Sequence, residues 1–274
     1  MPKFSKRPLE FYGRFIDDAK QHEMTRHLRS QECPFLKRKC LKPRKSDPSQ
    51  TIGSCTVGYQ EGPLVICPYR FLKNNQIFLD AVRLLKPKLE YYIVPEITMP
   101  GGNIDYFLVG QKDGEILDFL GIEIQSLDTT GSGGIWKARQ DLTRGQLQAS
   151  YAYGINWKMS AKTILIQMHH KSGAFEALDK KLLLIVQKPF FDYMSREFRT
   201  KQLPDSDARD SIHFHVYECV QLGGALSLVL RERKSTDVRG IEEMLKLGRA
   251  TEITVEEVIE RIRAKMSSAR RLEA

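Results

Sequence analysis

Between Asn103 and Gln125 the sequence reads NIDYFLVGQKDGEILDFLGIEIQ, two apolar runs separated by a turn. Gln111, Lys112, Asp113 and Gly114 carry the turn chemistry, so residues 103–109 and 116–125 are expected to pair as a hairpin. No other stretch constrains the fold as tightly, because polar groups stand where an apolar strand should hold only Val, Ile and Phe. Asp105 lies near the start of the first strand; Glu123 and Gln125 lie near the end of the second. Side chains alternate along a strand, so Glu123 and Gln125 share a face. A buried carboxylate is unfavourable without a partner. A divalent cation bridging Asp105 and Glu123 is the economical partner.

The rest of the chain supplies the setting. Its 274 residues, 41% hydrophobic, suffice for one large domain or a domain with a small appendage. No run of 18 apolar residues exists, so no membrane span is expected. No apolar stretch follows the first residues, so no signal peptide is expected, and the reading is cytoplasmic. The net charge of +9 points to a polyanionic partner.

Four of the five cysteines, Cys33, Cys40, Cys55 and Cys67, cluster in a segment rich in Pro, Gly, Ser and basic residues. Such a segment has little apolar matter for a core of its own. Four thiolates around one metal ion would stabilise it, and thiolate count alone allows zinc or iron. The gaps are not the paired C-x2-C of a zinc finger. Lys37, Arg38, Lys39, Lys42, Arg44 and Lys45 form a basic patch suited to phosphate contact. This divides the chain into a four-cysteine region, 1–70, and a larger domain, 71–274, with a C-terminal helical extension.

Along the chain, Phe11, Phe15 and Ile16 have helical spacing, and 71–90 reads as a helix stopped by Pro87. Residues 91–98 read as a strand turned at Pro100, Gly101 and Gly102, which brings Glu96 toward Asp105 as an outer acid. A helix is expected over 135–153, presenting Lys137, Arg139 and Arg144 beside the site. Residues 163–168 read as a strand ending at His169 and His170, followed by a short helix at 173–181. A buried strand follows at 182–186, and a helix opens at Pro189. Residues 212–220 and 225–230 form a hairpin around Gly223 and Gly224, with His213 and His215 on one strand face as surface groups and Cys219 in the core. Helices over 237–247 and 255–267 close the chain, the second opened by a capping box of Thr254 and Glu257.

The order of Asp105 on one strand, Glu123-x-Gln125 on the next, then helix and strand resembles the PD-(D/E)xK nuclease superfamily, with Gln125 in place of lysine. With the four cysteines ahead of it, the pattern over about residues 30–170 resembles the NotI-type restriction endonucleases. The resemblance implies an α/β fold: a PD-(D/E)xK restriction-endonuclease-like mixed sheet flanked by helices, with a small N-terminal four-cysteine metal-binding segment. It implies iron in that segment, which supports DNA contacts and is not catalytic. It also implies type II restriction chemistry: Mg2+ held by Asp105 and Glu123, water positioned by Gln125, and a homodimer on a palindromic double-stranded DNA site. The alternatives are another nuclease of the same core, serving repair or phage defence, and a non-catalytic four-cysteine zinc protein that binds DNA.

Overall fold

The structure, a computed structural model, describes residues 5–17, 21–44, 46–60, 62–131, 133–198, 203–245 and isolated positions between 255 and 264. The expected helix over 255–267, with its capping box, lies largely outside the described residues.

Pro8–Phe11 (β1) and Arg14–Phe15 (β2) open the chain as a hairpin, not as the helix that the aromatic spacing predicts. Tyr12 and Gly13 both take left-handed backbone, which reverses the chain too sharply for a helix. The first helix is Gln21–Ser30 (α1). Two short ladders follow: Glu32–Cys33 (β3) with Arg38–Lys39 (β4), and Pro43–Arg44 (β5) with Asp47–Thr51 (β6). Ser54–Tyr59 (β7) and Gly62–Val65 (β8) complete a four-stranded sheet in the order β2-β1-β7-β8.

The stretch expected as one helix is three helical pieces: a 3-10 segment Pro68–Asn75, Gln76–Ala81 (α2) and a 3-10 turn Val82–Leu84. Left-handed Asn74 and Asn75 make the break. Then the main sheet begins. Glu90–Met99 (β9), Gly102–Lys112 (β10) and Glu115–Gln125 (β11) form an antiparallel meander. Asp113 and Gly114, both at positive φ, build the tight turn that the sequence calls for. A small ladder, Thr129–Thr130 (β12) with Gly154–Ile155 (β13), brackets helix Gly133–Thr143 (α3), which ends ten residues before the sequence predicts.

Residues 163–168 are not a strand. They lie inside one 21-residue helix, Trp157–Ala177 (α4), which also absorbs His169, His170 and most of the predicted short helix. The stripe Ala161, Ile164, Leu165, Met168, Ser172 and Phe175 is buried at helical spacing, and packing on the sheet overrides the strand propensity of Thr163, Ile164 and Ile166. Lys181–Gln187 (β14) runs parallel to β11; helix Lys188–Glu197 (α5) carries Pro189 in its first turn and leads to Ile212–Leu222 (β15), parallel to β14. Ala225–Thr236 (β16) returns antiparallel through Gly223 and Gly224, and helix Val238–Leu245 (α6) follows.

The main sheet therefore has the order β16-β15-β14-β11-β10-β9, parallel at its centre and antiparallel at both edges. Alternate residues of β14 enter opposite cores. Leu182, Leu184 and Val186 pack with α4, α5 and α6, whereas Leu183 and Ile185 pack with Phe71, Ile77 and Phe78. The N-terminal sheet docks across the carboxyl ends of the central strands. The Gln187 amide both accepts from Val65 N at 3.0 Å and donates to Val65 O at 2.8 Å, and Leu127 N donates to the same carbonyl. A second tie is fully buried: Arg70 donates to both Glu10 oxygens at 2.8 and 3.1 Å and to Leu226 O at 2.7 Å. Among the described residues no helix is long and apolar enough to cross a membrane.

Candidate active site

The β10–β11 ladder runs from Lys112 opposite Glu115 to Tyr106 opposite Ile122, and beyond that point the acids take over. The Asp105 carboxylate accepts the backbone N–H of Ile124 at 2.8 Å, and the Glu123 carboxylate accepts the N–H of Asp105. Side chains thus replace ladder carbonyls at the carboxyl end of β11, the end of a parallel sheet where ligands bind. Burial raises the Asp105 pKa, and the charge of Glu96 adds to it. Burial, with Asp105 beside it, pushes the Glu123 carboxyl up to about 7 against the pull of Lys171. Neighbouring acids raised by burial and by like charge in a partly dry site are what a bound cation would relieve.

The lysine is the residue that sequence reasoning missed. Lys171, on the buried face of α4 and 4% exposed, donates from Nζ to Glu123 Oε1 at 2.8 Å and to Asn103 O at 2.6 Å. Its signal was a charged residue within an apolar helical stripe, one position before Ser172 and three after Met168. Reading 163–168 as a strand hid that stripe. The turn between β9 and β10 abuts α4 at the same place. Gly101 has φ +91, and a Cβ there would stand 2.5 Å from the His170 carbonyl.

Gln125 is half-buried, and its amide nitrogen donates to Ser126 O at 2.5 Å. Glu96 is exposed, at positive φ, between the pairs Ile97 with Ile104 and Pro95 with Tyr106, which sets it opposite Asp105. Tyr69 and Tyr106 stand beside the acids: burial raises both phenols, the charges of Glu96 and Asp105 add to this, and Arg38 opposes it. Arg38 is exposed, and its charge reaches the two phenols beside the acids.

The other basic candidates divide. Lys42, Arg44 and Lys137 line one open cleft with Trp136 and Asp128. There Arg44 lies over the Trp136 ring at 5.2 Å, Lys42 donates to Ile66 O at 2.6 Å and Lys137 pairs with Asp141 at 2.6 Å. Lys39 donates to Ser49 O. Lys37 lines a different cleft with Arg14 and Lys73. Arg144 is exposed at the end of α3, and Lys45 lies outside the described residues. Arg139 faces the interior, contrary to expectation: it is buried and donates to Leu28 O at 3.1 Å and to the Tyr12 hydroxyl at 3.4 Å. His213 and His215 are also buried rather than on the strand surface, and Cys219 is in the core as expected.

Among the cysteines, Cys33, Cys55 and Cys67 are buried and Cys40 is half-buried. Cys55 hydrogen-bonds Cys67, which raises the Cys55 thiol and lowers that of Cys67; Lys42 adds to the lowering. Burial raises Cys33, and the neighbouring Cys67 and Cys40 contribute. Among the described residues no three or more His, Cys, Asp or Glu side chains are grouped closely enough to hold a metal. The thiols are thus neighbours without forming a closed ligand cage.

The family profile described as restriction endonuclease NotI matches residues 21–221. The chain belongs to the NotI restriction endonuclease family. No curated protein matches it. The NotI match runs some fifty residues past the 30–170 span suggested by the motifs, and so takes in all of α4, with Lys171, and most of β15.

Proposed function

We propose that this NotI-family chain is a type II restriction endonuclease that hydrolyses double-stranded DNA at a specific site with Mg2+. The observation that carries the reading is half-buried Asp105 beside buried Glu123, each carboxylate accepting a backbone N–H from the opposing strand at the carboxyl end of β11. The strand order supports the PD-(D/E)xK assignment, with an acid-bearing antiparallel pair followed by helix α4 and a parallel strand.

Asp105 and Glu123 are the ligands suited to a hard cation, with Glu96 as an outer acid. Bound there, Mg2+ would neutralise the scissile phosphate, activate the attacking water and stabilise the leaving oxygen. Gln125 keeps one amide N–H and its carbonyl oxygen to orient that water, though it brings no charge. Exposed Arg38, and Lys42, Arg44 and Lys137 along the adjoining cleft, suit backbone phosphates. Cys33, Cys40, Cys55 and Cys67 are a soft donor set that would suit a structural iron, as the resemblance implies, or zinc, once drawn into the closed cage that the described residues do not form. A palindromic target would make the working unit a C2 homodimer.

The test is a digest of unmethylated phage or bacterial DNA with Mg2+, with EDTA and Asp105→Ala as controls. Discrete bands absent from both controls are expected. A smear points to a structure-selective nuclease instead, and binding without cleavage across several genomes points to a four-cysteine DNA-binding protein.

A further inference from the structure

The nuclease motif that Asp105 and Glu123 resemble ends in a lysine two residues after the acid, and here that position holds Gln125. The site nevertheless contains an ammonium group, delivered by a different element. Lys171 enters from α4 with its side chain 5% exposed, against 6% for that of Glu123. A lysine in the buried stripe of a helix is unfavourable unless it is paired. Both side-chain hydrogen bonds of Lys171 go to the acid hairpin: Glu123 Oε1 on β11 and Asn103 O on β10, two residues before Asp105. Its charge also acts on Asp105. It therefore binds both strands at the point where their ladder gives way to the two acids. A lysine that merely anchored α4 could have paired with any carboxylate. This one is held against the hairpin by the turn at Gly101 and Gly102, where a Cβ on Gly101 would collide with the His170 carbonyl.

We propose that Lys171 is the displaced counterpart of the motif lysine: it fixes the Glu123 carboxylate for metal binding from the helix side and supplies the positive charge that Gln125 lacks. The proposal rests on the nuclease reading above. Two acids against one ammonium leave the site short of positive charge, so a divalent cation is accommodated beside Lys171 rather than in place of it. Lys171 acts through Glu123 and through its field on the reacting phosphate, which makes it a positioning residue.

The test uses the full chain and four variants: Lys171→Met, Lys171→Gln, Lys171→Arg and Lys171→Met/Glu123→Gln. Melting in EDTA, without DNA, reads the pair itself. Lys171→Met should melt about 10 °C lower, since it strands a buried carboxylate, and the double variant should recover most of that loss. Single-turnover cleavage at saturating Mg2+ and DNA reads the function. Lys171→Met should be slowed about 100-fold or more with DNA affinity in Ca2+ unchanged, and Lys171→Arg should retain more of the rate than Lys171→Gln. If Lys171→Met does not fold, Lys171→Gln, which keeps N–H donors on a shorter side chain without the charge, carries the rate comparison. Cleavage by the folded neutral variant within threefold of wild type overturns the proposal and leaves the nuclease reading intact. An Asp105→Ala variant that cuts like wild type overturns the site itself, and with it the role of Lys171.

Discussion

Two buried glutamate–cation pairs hold this molecule together, and they are built to different ends. Glu10 and Arg70 have side chains 2% and 1% exposed; Glu123 and Lys171 are nearly as dry. Burial does not separate them. The number of acids does. Glu10 receives two guanidinium bonds and the Thr56 hydroxyl, and Arg70 also donates to Leu226 O while its Nη1 has no hydrogen-bond partner among the described residues, so one acid meets one cation across four elements of the fold. Glu123 shares its ammonium with Asp105 next door, and Glu96 stands outside. The first pair is balanced in charge. The second is short of positive charge and lies at the ends of the strands, where a ligand can supply it. A buried ion pair is by itself weak support for function or for stability. The neighbouring acid is what distinguishes a site from a tie.

The comparison breaks most visibly in activity. Glu123→Ala is expected to lower Mg2+-dependent cleavage by about 10³-fold while the protein stays folded, whereas Glu10→Gln should leave the single-turnover rate close to wild type. Comparable losses in both would erase the distinction. Stability should rank the other way. Arg70→Met strands Glu10 and should cost about 3–5 kcal/mol, read as a lowered midpoint in urea. A midpoint unchanged by the substitution would mean that Glu10 is reached by water.

A pH series sharpens the contrast with two buried histidines: Asp210 attracts His213, whereas His215 faces Arg233 and Arg83. Burial lowers His213 to about 4 and His215 to about 3, and neither ring nitrogen of His215 has a hydrogen-bond partner among the described residues. Both therefore favour the folded state fully above pH 6.5. That contribution is lost as pH falls toward 4, because the unfolded chain takes up protons that the folded chain refuses. Glu123 works in the opposite sense. Its folded value of about 7 makes acidification from pH 7 toward 4.5 stabilising. His215→Phe should therefore gain stability over wild type by about 1 kcal/mol per pH unit as pH drops from 6.5 to 5, measured by thermal melting. A pH-independent difference would refute the assignment of His215 as the acid-sensitive group. The smallest effect is expected from exposed Arg38. Arg38→Ala should weaken DNA binding uniformly across sequences and reduce the salt slope by about 1, without altering melting.

Much of this architecture was readable from residues whose local and global demands agree. The β10–β11 hairpin followed from its turn residues and misplaced acids, β14 from an unbroken apolar run, α5 from Pro189, and the β15–β16 hairpin from Gly223 and Gly224. The misreadings share one cause. Thr163, Ile164 and Ile166 favour a strand locally, and only the sheet beneath α4 makes them helical. Phe11 and Phe15 have helical spacing, but they enter different cores on either side of a turn. Arg139 reads as a surface cation because nothing nearby in the sequence announces the Leu28 carbonyl that receives it. Lys171 was hidden for the same reason: its partner is 48 residues away, and its meaning depends on the helix that carries it.

The glycine at the β9–β10 turn carries a further implication. Gly101 touches no reacting group, yet its missing side chain lets the hairpin tip lie flush against the backbone of α4 at His170. It works as a spacer of zero thickness that sets how far the next residue, Lys171, can reach. Alanine there would thicken the spacer by one methyl group and lift the helix off the tip. In a mutational map of this protein, an inactivating position should appear in a loop that contributes no chemistry, and its severity should follow side-chain volume rather than charge.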